Sequence, residues 1–492
     1  MTFLSLAKFR PTKLSYIAAP LLYGALAVLL TWPMARHLGT HLLGQSDDTP
    51  LHYWNCWWVQ HALLEGHSPY FTRYLFYPRG VSLLTHNIAW GNALGFILLE
   101  PLLGGIAAYN LTLILSLALC GWAAFALLRH LTHHLSAALL GGIIYQAWPY
   151  RLSQLGHPNL LSTFWIPIFI LALLRTLEHR QRRDALFVGL AFALVGYTRW
   201  QLLIPATIMG SFLFAAWFWA NRPSKAEGFR QPFKQAWQRL ALGAAVALLL
   251  LLPPLVLLAR ELRGDLGLQE LFRQDEARSQ ADLMAYLTPQ ASHPLFGSWS
   301  RALYERYYAD RQGGHYPAYL GLATFVLALI GLIRRPRQGW PWAALILFFG
   351  LLALGPLLRI NGVAYPRVPT LYGLLAPLEV LRILREPGRY VLFLALPFAA
   401  LAALAIASLS IPRPALCWVA LAALIVAEYL PIPIPLRYIK APPQPYVNVA
   451  ASPSTGAVLD LPIDPYKAKV YMFDQTVHGR PLIQGHLSRL PA

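Results

Sequence analysis

The sequence predicts an all-α membrane protein that crosses the bilayer about eleven times, with a large loop after the first span and a small C-terminal segment holding some β-structure. Three observations predict it. Hydrophobic residues make up 57% of the chain and charged residues 12%, about half the charged share of a soluble domain. Apolar runs long enough for a hydrocarbon core of ~30 Å recur from end to end. Between them, arginines collect in short loops such as EHRQRRD and RRPRQ, as membrane orientation requires.

The first run, near 15–35, follows Lys8, Arg10 and Lys13. Its flank, TWPMARHLG, offers no small-x-small cleavage site, so it reads as a retained span. Further runs lie near 107–129, 135–149, 159–177, 185–200, 202–220, 241–258, 316–333, 341–358, 390–410 and 415–433. The piece 88–105 is ambiguous, because Glu100-Pro101 and several glycines interrupt it. Orientation decides against its crossing. With 88–105 not crossing and the N-terminus in the cytoplasm, the basic loops at Arg129–His134, Arg175–Asp184, Asn221–Arg239, Arg334–Gln338 and Arg413 all fall inside. A crossing would invert every later loop. The C-terminus is then outside.

The outer side receives 37–106, 260–314, 359–388 and the tail. The chain thus divides into a membrane domain, 1–433, and an extracytoplasmic tail, 434–492. The tail begins with PIPIPLRYIKAPPQP, a stiff linker, and continues with GAVLDLP, whose alternation suits a strand. The net charge of +19 is not arranged as a basic stripe among aromatics, so nucleic acid is not a partner. Cys56, Cys120 and Cys417 form neither a disulfide framework nor a zinc motif.

Polar residues gather at the outer boundary. GQSDD, Gly44 to Asp48, sets two carboxylates about ten residues beyond the first span. A carboxylate beside apolar surface gains proton affinity, which suits a general base. Alternatively, one of the pair caps the following helix. LHYWNCWWVQHALLEG then spaces Tyr53 or Trp54, Trp57 and His61 as an amphipathic helix in the headgroup layer would. SPYFTRYLFYPRGVSLLTHN, with His86, is too irregular for a surface helix and too aromatic for disorder, and reads as a packed platform.

YQAWPYRLSQLGHPNLLSTFWIP brings Arg151, His157 and Asn159 to the outer junction of two runs. Arg151 there either binds an anionic headgroup or phosphate or snorkels to the interface. In YTRWQ, Arg199 and Gln201 stand between two apolar runs with almost no loop, where a charge needs a cavity or a partner. The simplest partner is Asp47 or Asp48. LRILREPGRY carries Arg382, Arg385 and Arg389 around Glu386, enough cations to hold a phosphate or to touch anionic lipid. Glu428, near the end of the last run, reaches the interface, and His315 alone carries little. The chain holds no GxxxxGK[ST], HExxH, paired CxxC or GxSxG motif.

A first span, a large outer loop with an acidic motif, and many later spans resemble the GT-C class of membrane glycosyltransferases. DDTPLHYWNCWW, LFYPRGVSL and GHPNLLSTFWIP are similar to bacterial members of unassigned specificity. The resemblance implies a polyprenyl-phosphate sugar donor, an envelope glycan or lipid acceptor, and a place in the bacterial inner membrane among its lipids. It implies that Asp47 or Asp48 is the base in a single inverting displacement, and that Arg199, Arg385 or Arg389 neutralises the departing phosphate. His86, Arg151, His157, Asn159 and Gln201 complete the expected substrate- and phosphate-binding set. The resemblance fixes no cofactor and leaves a divalent metal open. The short tail argues against a protein acceptor. The alternative is a non-catalytic exporter or assembly factor for lipid or polysaccharide. It is weaker because transporter charges gather at the midplane.

Overall fold

The computed structural model describes residues 13–221, 230–262, 280–308, 317–378, 386–410 and 414–487. Arg382, Arg385, His315 and Arg413 lie outside the described residues, and the loop 260–314 is described only over 280–308.

Helices stand in every place where an apolar run predicts one. They are α1 (Lys13–Leu30), α4 (Gly105–Thr132), α5 (Leu135–Gln146), α8 (Trp165–His179), α9 (Arg182–Thr198), α10 (Leu203–Ala220), α11 (Arg230–Leu262), α12 (Leu322–Arg334), α13 (Pro336–Ala353), α14 (Ala395–Ser408) and α15 (Pro414–Tyr429). Between α1 and α4 lie α2 (Thr49–Leu64) and α3 (Trp90–Leu103), and between α5 and α8 the single turns α6 (Pro149–Leu152) and α7 (Pro158–Leu161). After α15 come α16 (Gln444–Ala451) and α17 (Ala468–His478). Among the described residues, five helical stretches are long and apolar enough to cross a membrane unaided: Gly105–Thr132, Pro158–His179, Trp200–Ala220, Lys234–Arg260 and Pro387–Ser408.

The ambiguous piece 88–105 resolves into α3, one arm of a helical hairpin. Gly104, at φ +76°, makes the turn into α4. Asn92 Nδ2 donates to Ser116 Oγ at 3.2 Å, and a side chain at Gly95 would meet Thr112 at 3.0 Å. The pairing therefore runs antiparallel about Gly104. Fourteen residues span about 21 Å at 1.5 Å per residue, less than the hydrocarbon core.

Small residues set the tightest helix contacts, as they do where apolar burial alone gives no preference. The alanine-rich α14 is the central helix, packed on α12, α5 and α13. A side chain at Gly331 of α12 would lie 2.0 Å from Leu401 O. At the periphery, Gly189 of α9 faces the carbonyl of Gly243 in α11, Gly243 faces that of Ala185 in α9, and most of α11 is exposed apolar surface. Glu428 does not simply reach the interface. It accepts from Tyr319 Oη at 2.5 Å, from Leu322 N and from Ala323 N at 3.2 Å, and so caps the otherwise unsatisfied start of α12.

The tail is joined to the first loop. Strand β1 (His41–Leu43) pairs antiparallel with β6 (Leu436–Tyr438), in the register His41↔Tyr438 and Leu43↔Leu436. Two-residue hairpins, β2 (Phe71–Thr72) with β3 (Val81–Ser82) and β4 (Arg359–Ile360) with β5 (Val363–Ala364), are the other sheets among the described residues. GAVLDLP forms no strand. Only Val458 bridges, in parallel, to Leu482.

Helix α17 packs on α2, and this corrects the expected surface helix. Residues 49–56, Trp58, Val59 and Ala62 of α2 are buried. The tail covers part of the face meant for the headgroup layer: Trp54 Nε1 donates to Gln475 Oε1 at 2.7 Å, and the Tyr53 and Phe473 rings lie 5.0 Å apart, while Trp57 and His61 stay half-buried beside Tyr74.

Candidate active site

Two loops cross at a pair of glycines. Gly44 has φ +96°, and a Cβ there would stand 2.4 Å from Gly156 Cα. A Cβ on Gly156 would stand 2.5 Å from Thr49 Oγ1. Only glycine gives both the left-handed conformation and the close approach. The crossing delivers GQSDD and GHPN to one point. Replacing Gly44 with alanine is expected to cost about 1–3 kcal/mol, because backbone rather than a movable side chain blocks the new methyl. Thermal unfolding of the detergent-solubilised protein measures it.

The acidic pair splits there. Asp47 is exposed, and no bond to its side chain is found among the described residues. Asp48 occupies the N-cap position of α2 but makes no side-chain cap bond. Its Oδ1 accepts from Lys469 Nζ at 2.5 Å, and its Oδ2 lies 3.5 Å from His157 Nε2. Ser46 Oγ stands 3.1 Å from the same His157 nitrogen and accepts from Asp48 N at 3.2 Å. The expected gain in proton affinity is reversed. Burial pushes the Asp48 carboxyl up, but His157, His52 and Lys469 outweigh it and hold Asp48 well below the usual carboxylate range. Asp48 is ionised at neutral pH.

His52 lies one helical turn beyond Asp48, buried, edge-on to the His157 ring at 5.5 Å between centroids. Burial, and then the neighbouring His157, keep it well below the ordinary imidazole range, against the opposing pull of Asp48. His86 bonds Asn55 Oδ1 at 2.9 Å through Nε2, and burial lowers it to about 3. The tail adds His486, lowered by burial and then by the Lys469 charge, with Asp48 opposing.

Arg199 is buried in extended conformation between α9 and α10, and its charge reaches His52. It does not pair with the acidic loop. Its Nε donates to Gln201 Oε1 at 2.5 Å, while Asp48 takes its charge partners from Lys469 and His157. Asn159, two residues past His157, is buried with neither amide atom bonded.

Two expected members lie in other networks. Arg151 neither snorkels nor faces a headgroup. It is fully buried, with Nε on Tyr145 O at 3.1 Å, Nη1 on Thr163 Oγ1 at 2.5 Å, and the guanidinium over the Tyr145 ring at 4.1 Å. Arg389 pairs with Glu386 at 2.7 Å at the start of the segment leading into α14.

Sequence reasoning missed His52, Lys469 and His486. His52 was findable, since i,i+4 places it on the face of Asp48. Nothing in YKAKVYMFDQ marks Lys469, which is 421 positions away from its partner.

Asp48, His52 and His157 each offer one ligand atom, all within 4.8 Å of one another. The donor types suit zinc, and Nδ1 of both histidines is buried without a partner. The charge does not suit it. The ammonium of Lys469 already sits on Oδ1. With Lys469 in place, the cluster does not fit a divalent ion.

The chain has the GT-C glycosyltransferase fold. It aligns with the oligosaccharyltransferase of Archaeoglobus fulgidus at 14% identity and a TM-score of 0.50, covering 96% of this chain and 65% of that protein. It aligns with the arabinofuranosyltransferase AftD from Mycobacteria at 16% identity and a TM-score of 0.50, covering 99% of this chain and 34% of that protein. The chain thus spans less than two thirds of the first protein and about one third of the second. No curated protein matches the sequence. Residues 20–427 match the model of the family described as domain of unknown function DUF6311, and the chain belongs to that family.

Proposed function

We propose that this chain transfers a sugar from a polyprenyl-phosphate donor to an envelope glycan or lipid outside the cytoplasmic membrane, by a single inverting displacement. The observation that carries the reading is the polar cluster on the crossing loops of a GT-C fold: ionised Asp48 against His157, His52 and Lys469. The missing nucleotide-phosphate loop agrees with a lipid-linked donor.

Asp48 is the base and Asp47 is not. The acceptor hydroxyl gives its proton to Asp48 while its oxygen bonds to the anomeric carbon. The bond from that carbon to the phosphate oxygen breaks with its electron pair, polyprenyl phosphate leaves, and configuration inverts. A carboxylate gripped by an ammonium is a weak base. The donor phosphate shares the Lys469 ammonium and so loosens its hold on Oδ1 without removing it from the site. Lys469 and Arg199 supply positive charge where the phosphate gains negative charge, often the largest catalytic contribution. We assign sugar binding to Asn159, whose buried amide is unbonded, with His86 and Gln201.

In right-side-out vesicles, label from polyprenyl-phosphate sugars is expected to pass into an outer acceptor when the wild-type chain is present. No transfer in any vesicle preparation that holds both donor and acceptor would refute the reading. The orientation rests on the basic loops: about eleven spans, 88–105 not crossing, N-terminus inside. A reporter fused after Ala492 is expected to be active only outside the cytoplasm, and cytoplasmic activity would overturn the span count.

A further inference from the structure

We propose that Lys469 is the built-in cation of this site: its ammonium compensates Asp48 from the Oδ1 side, so that the intact protein binds no divalent metal at Asp48, His52 and His157. The inference goes beyond glycosyl transfer, because it concerns only what the cluster binds.

The ligand atoms are those of a metal site. One carboxylate and two imidazoles converge within 4.8 Å, and the Nδ1 atoms of both histidines are buried without a partner. A cation is nevertheless already there. Lys469 Nζ lies 2.5 Å from Asp48 Oδ1, on a side chain 10% exposed. A divalent ion on Oδ2 would share the carboxylate with that ammonium and be repelled by it at close range. The single negative charge of Asp48 cannot balance both that ammonium and a divalent ion in a partly desolvated place.

Lys469 is not a surface lysine free to swing out. Its helix α17 is pinned to α2 three and six residues further on: Met472 is fully buried, and Gln475 bonds Trp54. The lysine therefore enters the site by a fixed route, from a segment outside the 20–427 family match. Lys469 is placed to do electrostatically what a metal does elsewhere: compensate the carboxylate and present positive charge to an incoming anion.

The test counts metal in the purified full-length protein, with its tag removed, after incubation with zinc chloride or manganese chloride and desalting. The zinc that matters is the fraction lost on Asp48→Asn, which sets aside surface histidines. Wild type and Lys469→Arg are expected to hold none of this fraction. Lys469→Met is expected to take up about one equivalent and to lose it again in Lys469→Met/Asp48→Asn. An Asp48-dependent equivalent in the wild type would overturn the proposal. So would a folded Lys469→Met that stays metal-free. If Lys469→Met does not fold, Lys469→Gln replaces it. The wild type against Asp48→Asn also decides alone, equal content supporting the proposal and a difference of one equivalent refuting it.

Discussion

Replacing Asp48 with asparagine is expected to lower transfer by about 10²–10⁴-fold, the range a lost general base costs, while Asp47→Asn stays within a few-fold of wild type. The two residues are neighbours in sequence with opposite surroundings. Asp47 is exposed with no bond to its side chain among the described residues, whereas Asp48 faces Lys469 at 2.5 Å and His157 at 3.5 Å. Asparagine keeps the shape of Asp48 but cannot take a proton or balance the ammonium. The Asp48 side chain is 37% exposed, so solvent screens the lost ion pair and the stability cost stays near 1 kcal/mol. The variant should therefore fold, which the unfolding temperature checks beside label transfer in vesicles. Equal activity of the two variants would reject Asp48 as the base.

The largest stability effect is expected at Gln475. The residue is fully buried and serves three partners: its Oε1 accepts from Trp54 Nε1 at 2.7 Å, and its Nε2 donates to Tyr74 O and Arg480 O, each at 2.8 Å. Leucine fills nearly the same volume but strands an indole N–H and leaves two carbonyls a bond short. An unsatisfied buried group costs about 1–3 kcal/mol, so Gln475→Leu should lose about 3–6 kcal/mol in denaturant unfolding. Adding Trp54→Phe removes the stranded donor, and the pair should destabilise by less than the sum of the singles. A change below ~0.5 kcal/mol in Gln475→Leu would mean that the tail does not clamp α2.

What the sequence made legible follows from local pattern. Apolar run length placed the helices, because hydrocarbon thickness fixes how many residues a span needs. GQSDD and GHPN were legible as outer-boundary motifs, and a glycine in each makes the contact that joins them. What stayed hidden depends on distant chain. Part of the burial of α2 comes from α17, and the reversal of Asp48's proton affinity draws on His157 and Lys469, which no local window contains. Arg199 was recognisable as a charge needing a partner, but its bond to Gln201 and the pairing of Asp48 with Lys469 required the fold. Arg151 looked like an interfacial cation because sequence cannot show that Tyr145, Thr163 and Cys120 enclose it.

The central claim is that this outer-surface cluster adds a sugar to the cell envelope. Mass spectrometry of envelope lipids and glycans from a strain lacking the gene tests it most directly. One lipid or glycan is predicted to lose a single sugar's mass and to regain it with the wild-type or Asp47→Asn gene but not with Asp48→Asn. An envelope identical with and without the gene, or one fully restored by Asp48→Asn, would contradict it.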